Sequence, residues 1–257
     1  MTALPFTSAL VTGASSGIGE AMVRILGAAG IPQVVVARRT DRLAELAAQY
    51  ADVEVLTADL ATADGVDAVA QRILDESRPV DLVVNNAGFG TSGAFHTLDP
   101  ARLSEEVSLN VQALTQLSHA ALAVMVPRGR GHLLNVSSVV SFQPGPKLAV
   151  YAATKAYVTS LTESLHEEMR GAGVKVTALC PGLTRTEFQS VSSSEDYATS
   201  YPAFAWMSAE DVAQAGLRAV ARGRALEVPG VMYKGMAWAA GVTPRGVTRR
   251  LSSLVRR

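Results

Sequence analysis

Ala9-Leu10-Val11-Thr12-Gly13-Ala14-Ser15-Ser16-Gly17-Ile18-Gly19 is the stretch that decides the fold. An apolar, β-branched run meets a glycine, two serines follow, and Gly17-Ile18-Gly19 opens a segment with helical spacing. Gly13 lets the chain turn sharply out of a strand. Gly17 lets backbone approach a pyrophosphate, and Gly19 lets a helix pack closely on a sheet. The helix N-terminus then offers free N–H groups and positive dipole to an anion. The glycines fall as G-x-x-x-G-x-G rather than G-x-G-x-x-G, and a tight strand-to-helix turn without a ligand has much the same composition. The strand before and the helix after favour the phosphate loop.

Outward from this turn the rhythm repeats. Residues 9–12, 33–37, 53–57, 81–85, 132–136, 175–180 and 225–228 read as strands, nearly continuous in apolar character, as strands buried on both faces are. Between them, 19–29, 40–50, 62–77, 101–125, 150–170 and 209–221 have helical spacing, with Thr40 or Asp41, Thr62, Asp99 and Ser208 as N-caps. Alternating strands and helices predict an α/β fold: one doubly wound domain over 1–257, a seven-stranded parallel sheet with helices on both faces and right-handed crossovers. Two stretches break the rhythm. Residues 186–208 are rich in serine and aromatics (Phe188, Tyr197, Tyr201, Phe204, Trp206) and read as a lid over a substrate. The other is a basic extension over 230–257.

Composition narrows the function classes. The chain has 257 residues, 48% hydrophobic and 18% charged, which excludes a disordered or coiled-coil protein. Basic and acidic residues balance at 23 each, so no global field draws in nucleic acid. One cysteine, Cys180, excludes a disulfide scaffold and a cysteine-cluster metal site. His96, His119, His132 and His166 lack metal-ligand spacing, so no metal is expected. Residues 1–7 show no secretory leader, and no uninterrupted apolar run approaches the roughly 20 residues of a spanning helix. A cytoplasmic enzyme is the expectation.

About 20 residues beyond the phosphate loop, where a ribose-reading acid would sit, stand Ala37-Arg38-Arg39. Two guanidinium groups there are placed to hold a 2′-phosphate, and charge-assisted bonds of this kind contribute about 1.5–3 kcal/mol. They also read as two solvated arginines opening a helix. The first reading points to NADP(H).

Tyr151 and Lys155 are four apart in a helical segment and so share one face. Ser138 follows the strand 132–136, at the sheet end where open α/β proteins place ligands. A phenol titrates near 10 and is a poor proton donor or acceptor at neutral pH unless its anion is stabilised; a nearby ammonium would lower that value. A serine hydroxyl nearby would hold an oxygen on which charge develops.

With these residues on the page, the chain resembles the short-chain dehydrogenase/reductase family over roughly residues 9–221. The resemblance rests on ordered motifs: Thr12 to Gly19, Asp59-Leu60, Asn85-Asn86-Ala87-Gly88, Asn110, Ser138, Tyr151-x-x-x-Lys155, and Pro181-Gly182 with Thr186. It implies a Rossmann-type fold and an NADP(H)-preferring bacterial-type oxidoreductase of undefined substrate. Tyr151 would be the catalytic acid/base, Ser138 would position the substrate oxygen, and Lys155 would bind the nicotinamide ribose and depress the phenol. Asn110 would hold a water for proton relay. Gly13, Ser15, Ser16, Gly17, Ile18 and Gly19 would cradle the pyrophosphate, and Arg38 and Arg39 the 2′-phosphate. Asp59 and Leu60 would face the adenine, Asn86, Ala87 and Gly88 would line the cofactor, and Pro181, Gly182, Thr184 and Thr186 would hold the carboxamide. Asn86 also reads as part of a strand-ending turn, and Asn110 as a residue that caps or kinks its helix.

Phe89, Phe95, Phe142, Phe188 and Trp206 suggest an apolar pocket for a medium-sized carbonyl or alcohol. Helices 101–125 and 150–170 carry more apolar surface than one sheet face consumes, and in the resembled family the equivalent helices form a dimer or tetramer interface. From Val228 to Arg257 there is no acidic residue, while Lys234, Arg245, Arg249, Arg250, Arg256 and Arg257 give +6 and the rest of the chain −6. This tail, with Met236, Trp238, Val242 and Val247, would be either a solvated surface helix or a segment making weak contact with an anionic membrane surface. A catalytically silent NADP(H)-binding sensor is the rival reading.

Overall fold

The structure, a computed structural model, describes residues 4–192 and 201–243. The chain runs β1 (Ala9–Thr12), α1 (Gly17–Ala28), β2 (Gln33–Ala37), α2 (Thr40–Ala47), β3 (Val53–Thr57), α3 (Ala63–Leu74) and β4 (Leu82–Asn85). It continues through α4 (Pro100–Val107), a π-helical segment (Ser108–Ala113), α5 (Leu114–Arg128), β5 (Gly131–Val136), α6 (Ala149–Glu168) and β6 (Val174–Leu179). A short α7 (Phe188–Val191), α8 (Ala209–Ala221), β7 (Leu226–Glu227) and α9 (Val231–Val242) complete the described part. The seven strands pair in the order β3-β2-β1-β4-β5-β6-β7, all parallel. The order reverses between β1 and β4, so a crevice opens beyond their carboxyl ends, where such sheets bind ligands.

Adjacent residues on each central strand serve opposite cores. Val11, Val84 and Leu134 pack with Met22 and Leu26 of α1, Leu43 of α2 and Leu217 of α8. Leu10, Val83 and Leu133 pack with Val69 and Ile73 of α3 and with Leu117 and Met125 of α5. The nearly continuous apolar strands are thus consumed on both faces, at roughly 1.5–3 kcal/mol for each fully buried large side chain.

The expected helices are present with shifted ends. Thr62, Asp99 and Ser208 are N-caps, each accepting a backbone N–H from Gly65, Ala101 and Asp211. For α2 the expectation of Thr40 or Asp41 is corrected: Arg39 occupies the N-cap and makes no capping bond, because a guanidinium has only donors; its side chain donates to Ser15 and Glu187 instead. The segment expected as one helix over 101–125 runs from Pro100 to Arg128 and is broken in character by the π segment around Asn110. By length and composition this run is a candidate membrane span, but half of its apolar window is buried inside the fold. One mark of the basic extension is also clear: over Val231–Val242 it is a helix, pinned by Tyr233. That ring lies against Gly182 while its hydroxyl donates to Ala205 O at 2.7 Å and accepts from Leu183 N at 3.1 Å. Val231, Met232, Met236, Trp238 and Val242 face outward. Tyr197 of the expected lid, and Arg245, Val247, Arg249, Arg250, Arg256 and Arg257 of the tail, lie outside the described residues.

Candidate active site

The first loop is built by contacts that leave no room for side chains. Gly13 and Gly17 have φ of +65° and +59°, a region L side chains rarely adopt. A Cβ on Gly19 would collide with the Gly13 carbonyl and with Asn86. Asn86 donates its carboxamide to Thr12 O and Gly13 O at 2.9 and 3.2 Å, while the Asn86 and Ala87 N–H groups both donate to Thr12 Oγ1 at 3.0 Å. Thr12 therefore locks the β4 turn onto the glycine loop, a role sequence reasoning missed although the residue stood in its motif. Ser16 is the N-cap of α1 and makes no side-chain cap bond. Ile18 packs against the core.

At the end of β2, Arg39 donates Nε and Nη2 to Ser15 Oγ at 3.2 and 3.1 Å and Nη2 to Ser15 O at 3.1 Å. Its Nη1 donates to Glu187 Oε2 at 2.9 Å, and Arg42 Nη1 donates to Glu187 Oε1 at 2.8 Å. Arg38 is exposed and has no hydrogen bond or ion pair among the described residues. Beyond β3, Leu60 is buried, and Asp59 spends a carboxylate oxygen on Ala61 N at 3.0 Å.

Beyond β4, β5 and β6 the structure gathers the four residues of expected chemical role. Tyr151 and Lys155 lie on α6, 9% and 4% exposed. Ser138 caps the turn after β5, accepting Val140 N at 3.3 Å, and its hydroxyl lies near enough to the Tyr151 phenol to lower its pKa. Lys155 Nζ donates to Val136 O at 2.8 Å and stands 5.8 Å from the Tyr151 ring centroid. Asn110 faces Lys155 across Gly88, whose Cβ position would be 2.8 Å from Asn110 Oδ1 and 3.5 Å from Lys155 Nζ. Asn110 Nδ2 donates to Phe89 O and Thr154 Oγ1 at 2.8 and 3.2 Å. The neighbouring Ser137 is engaged elsewhere, donating to Lys155 O at 2.8 Å.

Burial pushes the Tyr151 phenol well above 10, Ser138 offsets part of this, and Glu106 adds to it. Burial also takes Lys155 down to about 8. Both groups have lost water, and the ammonium spends a hydrogen bond on a backbone carbonyl. Glu106, another residue the sequence reading missed, has no exposed surface, and neither carboxyl oxygen completes a hydrogen bond. Burial raises it, and Thr91, Lys155 and Arg102 offset only part of that. Cys180 is buried, its thiol pushed up to about 11 by desolvation, which suits an inert packing residue.

Pro181 O accepts Val139 N at 3.0 Å, and Thr184 is buried with its hydroxyl on Gly182 O at 3.0 Å. Thr186 crosses the first loop, its Cγ2 2.9 Å from where a Cβ on Gly17 would lie. The expected aromatic wall is only partly assembled. Trp206 lines a cleft of about 560 Å³ with Arg185, Thr186, Gln189, Tyr201 and Ala203, and the Phe188 ring packs 5.3 Å from that of Tyr151. Phe89 is buried beneath the Arg102 guanidinium, 3.8 Å away, and Phe142 packs with the cluster around Cys180 and Tyr233. Phe95 is 62% exposed.

These residues fit a dinucleotide: the first turn of α1 keeps its N–H groups free of a side-chain cap, positions 13, 17 and 19 of the loop have no room for a side chain, and the Arg38 guanidinium, unpaired among the described residues, stands at the end of β2. Known proteins agree. The family model described as short chain dehydrogenase matches residues 7–196. An uncharacterized oxidoreductase of Staphylococcus aureus is 30% identical over 230 residues, 89% of this chain and 96% of its own. Among solved structures, a short-chain dehydrogenase from Sphingobium yanoikuyae in complex with NADPH is 32% identical, with a TM-score of 0.83 over 97% of this chain and 96% of its own. The bulky-bulky ketone specific alcohol dehydrogenase from Comamonas testosteroni is 30% identical, with a TM-score of 0.78 over 91% and 92%. By sheet order, loop and family match alike, the chain belongs to the short-chain dehydrogenase family of oxidoreductases.

Proposed function

We propose that the protein is an NADPH-dependent carbonyl reductase, reversible as an alcohol dehydrogenase, acting on a medium-sized apolar substrate. The observation that carries this is the buried Tyr151 phenol, one helical turn from the buried Lys155 and under the influence of Ser138. When bound, the dinucleotide would supply the hydride. Tyr151 Oη holds the proton that the substrate oxygen needs, and its raised pKa keeps it a phenol at neutral pH, the form required for reduction. Ser138 Oγ orients that oxygen. Arg38 and Arg39 receive the 2′-phosphate, and Asp59 and Pro181 to Thr186 flank the two ends of the cofactor cleft. Phe188 and Trp206 give the substrate side its apolar character. A sensor that only binds the dinucleotide has no use for the buried phenol, and the intact set argues against it.

The relatives bound to NADPH or acting on bulky ketones support this reading. Its test is NADPH consumption across aldehydes, cyclic ketones, diketones and 3-oxoacyl compounds. Turnover is expected to vanish in Tyr151→Phe while NADPH binding stays within about twofold; undiminished turnover in that variant overturns the mechanism. Arg38→Ala is expected to weaken NADPH far more than NADH. The same proposal includes weak contact of the tail with anionic lipid: α9 turns five apolar side chains outward and five arginines follow it. Sedimentation with anionic vesicles that falls with salt and with Trp238→Ala supports the contact, and none at low salt removes it.

A further inference from the structure

The turn directly after β2, Arg38-Arg39-Thr40, carries no carboxylate, and Asp41 of α2 makes no ion pair with Arg39 or Arg42, yet the structure brings a carboxylate to both guanidinium groups. Glu187 lies 148 residues from Arg39 in sequence, and it arrives because the chain after β6 crosses the first loop at Thr186. Its two oxygens divide between two guanidinium groups, Oε2 on Arg39 at 2.9 Å and Oε1 on Arg42 at 2.8 Å. Arg39 has five N–H groups. Its Nε and Nη2 are held by Ser15, so the Nη1 edge is what remains for a ligand, and Glu187 already occupies part of it. Among the described residues Arg38 makes no hydrogen bond or ion pair beside them. The cluster thus holds three positive charges and one negative, the negative one aimed at the groups a 2′-phosphate would use.

Resting on the NADP(H) reading above, we propose that Glu187 is a specificity-determining residue: its carboxylate competes with the 2′-phosphate for Arg39 and Arg42, and so holds the preference for NADPH over NADH below what the arginines alone would give. A phosphate of charge near −2 has to displace the carboxylate or lie against it, and either weakens NADPH. NADH carries no such phosphate and leaves the pair undisturbed. The three side chains are 40–46% exposed, so the pair is weak enough to be displaced. This is discrimination by an internal competitor, acting on one dinucleotide and not the other.

The experiment is direct titration of NADPH and NADH into the full chain, with no substrate present. Glu187→Gln is expected to tighten NADPH by about three- to tenfold and leave NADH within about twofold, the latter reporting an intact cleft. The gain is expected to shrink when Arg39→Ala is added, since the competitor then has less to hold. NADPH affinity unchanged or weakened in Glu187→Gln, with NADH retained, overturns the proposal and makes Glu187 a support for the arginines instead. Loss of both dinucleotides in Glu187→Gln would have the same force if Glu187→Ala, which frees the guanidinium groups entirely, also failed to tighten NADPH. The NADP(H) reading fails differently: Arg38→Ala would then weaken both dinucleotides equally, whatever Glu187 does.

Discussion

Asn110 holds both polar groups of a single residue, Phe89: its Oδ1 accepts the Phe89 N–H at 3.2 Å, and its Nδ2 donates to the Phe89 carbonyl at 2.8 Å. The irregular strand exit after β4 thereby gains a surrogate strand partner, presented from the π segment of the helix opposite. Asn110→Ala leaves buried backbone groups unpaired, and thermal or urea unfolding should show a loss of about 2–3 kcal/mol. Asn110→Asp keeps the acceptor and loses the donor. Turnover should fall in both, since Gly88 and Lys155 lie on the other side of this carboxamide.

Lys155 should weaken the fold it serves. Its ammonium is buried and titrates near 8, whereas an unfolded lysine titrates near 10.5. Below pH 8 the native state carries a charge it holds less well than the unfolded chain does, a destabilisation on the order of 3 kcal/mol that fades as pH rises from 8 toward 10.5. Lys155→Met should abolish turnover and raise Tm at pH 7, with the gain shrinking by pH 10. A Tm below that of the native protein at pH 7 would show that the bond to Val136 outweighs desolvation.

Glu106 carries the opposite charge and the same logic. Burial lifts its carboxyl above 4.5, so the native state binds its proton more readily than the unfolded chain. Its contribution to stability is whole below pH 4.5 and declines as pH rises through the lifted value. Glu106→Gln should therefore be more stable than the native protein at pH 8, with the difference gone near pH 4. Removing the charge also takes away an influence that raises Tyr151, so the alkaline limb of the pH–rate profile should move to lower pH.

His132 governs the acid side. It sits at the start of β5, edge-on to Phe6 at 4.9 Å, with neither ring nitrogen hydrogen-bonded and Asp81 3.8 Å away. Burial holds its pKa below 6.5 despite Asp81, and Lys175 pushes the same way. The stability it confers as a neutral ring is full above pH 6.5 and is lost as pH falls through the depressed value. Tm should drop between pH 7.5 and 5.5 in the native protein, and His132→Leu should flatten that drop.

What was legible in the sequence was local. Gly13, Gly17 and Gly19 declare their turn because each requirement is met within one loop, and Tyr151 and Lys155 share a face because helices repeat every 3.6 residues. The two-faced burial of β1 and β4 shows in runs such as Leu10-Val11 and Val83-Val84. Glu187 was hidden because its partners reach it only through the sheet order, and Glu106 because a glutamate beside Glu105 in a helix reads as solvated surface. Phe95 misled in the reverse direction: an aromatic residue in an irregular segment does not say which way its ring turns. The π segment was invisible because one added residue in a helical turn leaves the apolar pattern nearly intact.

Tyr233 has a consequence for how the protein is made. Its ring fills the space beside Gly182, and its hydroxyl joins Leu183 to Ala205. A ribosome delivers the glycine loop before the Tyr151 helix, and the ring that braces the segment after β6 only after both. A nascent chain can thus display a phosphate-binding turn long before that wall is firm, and dinucleotide captured early would meet a half-built cleft.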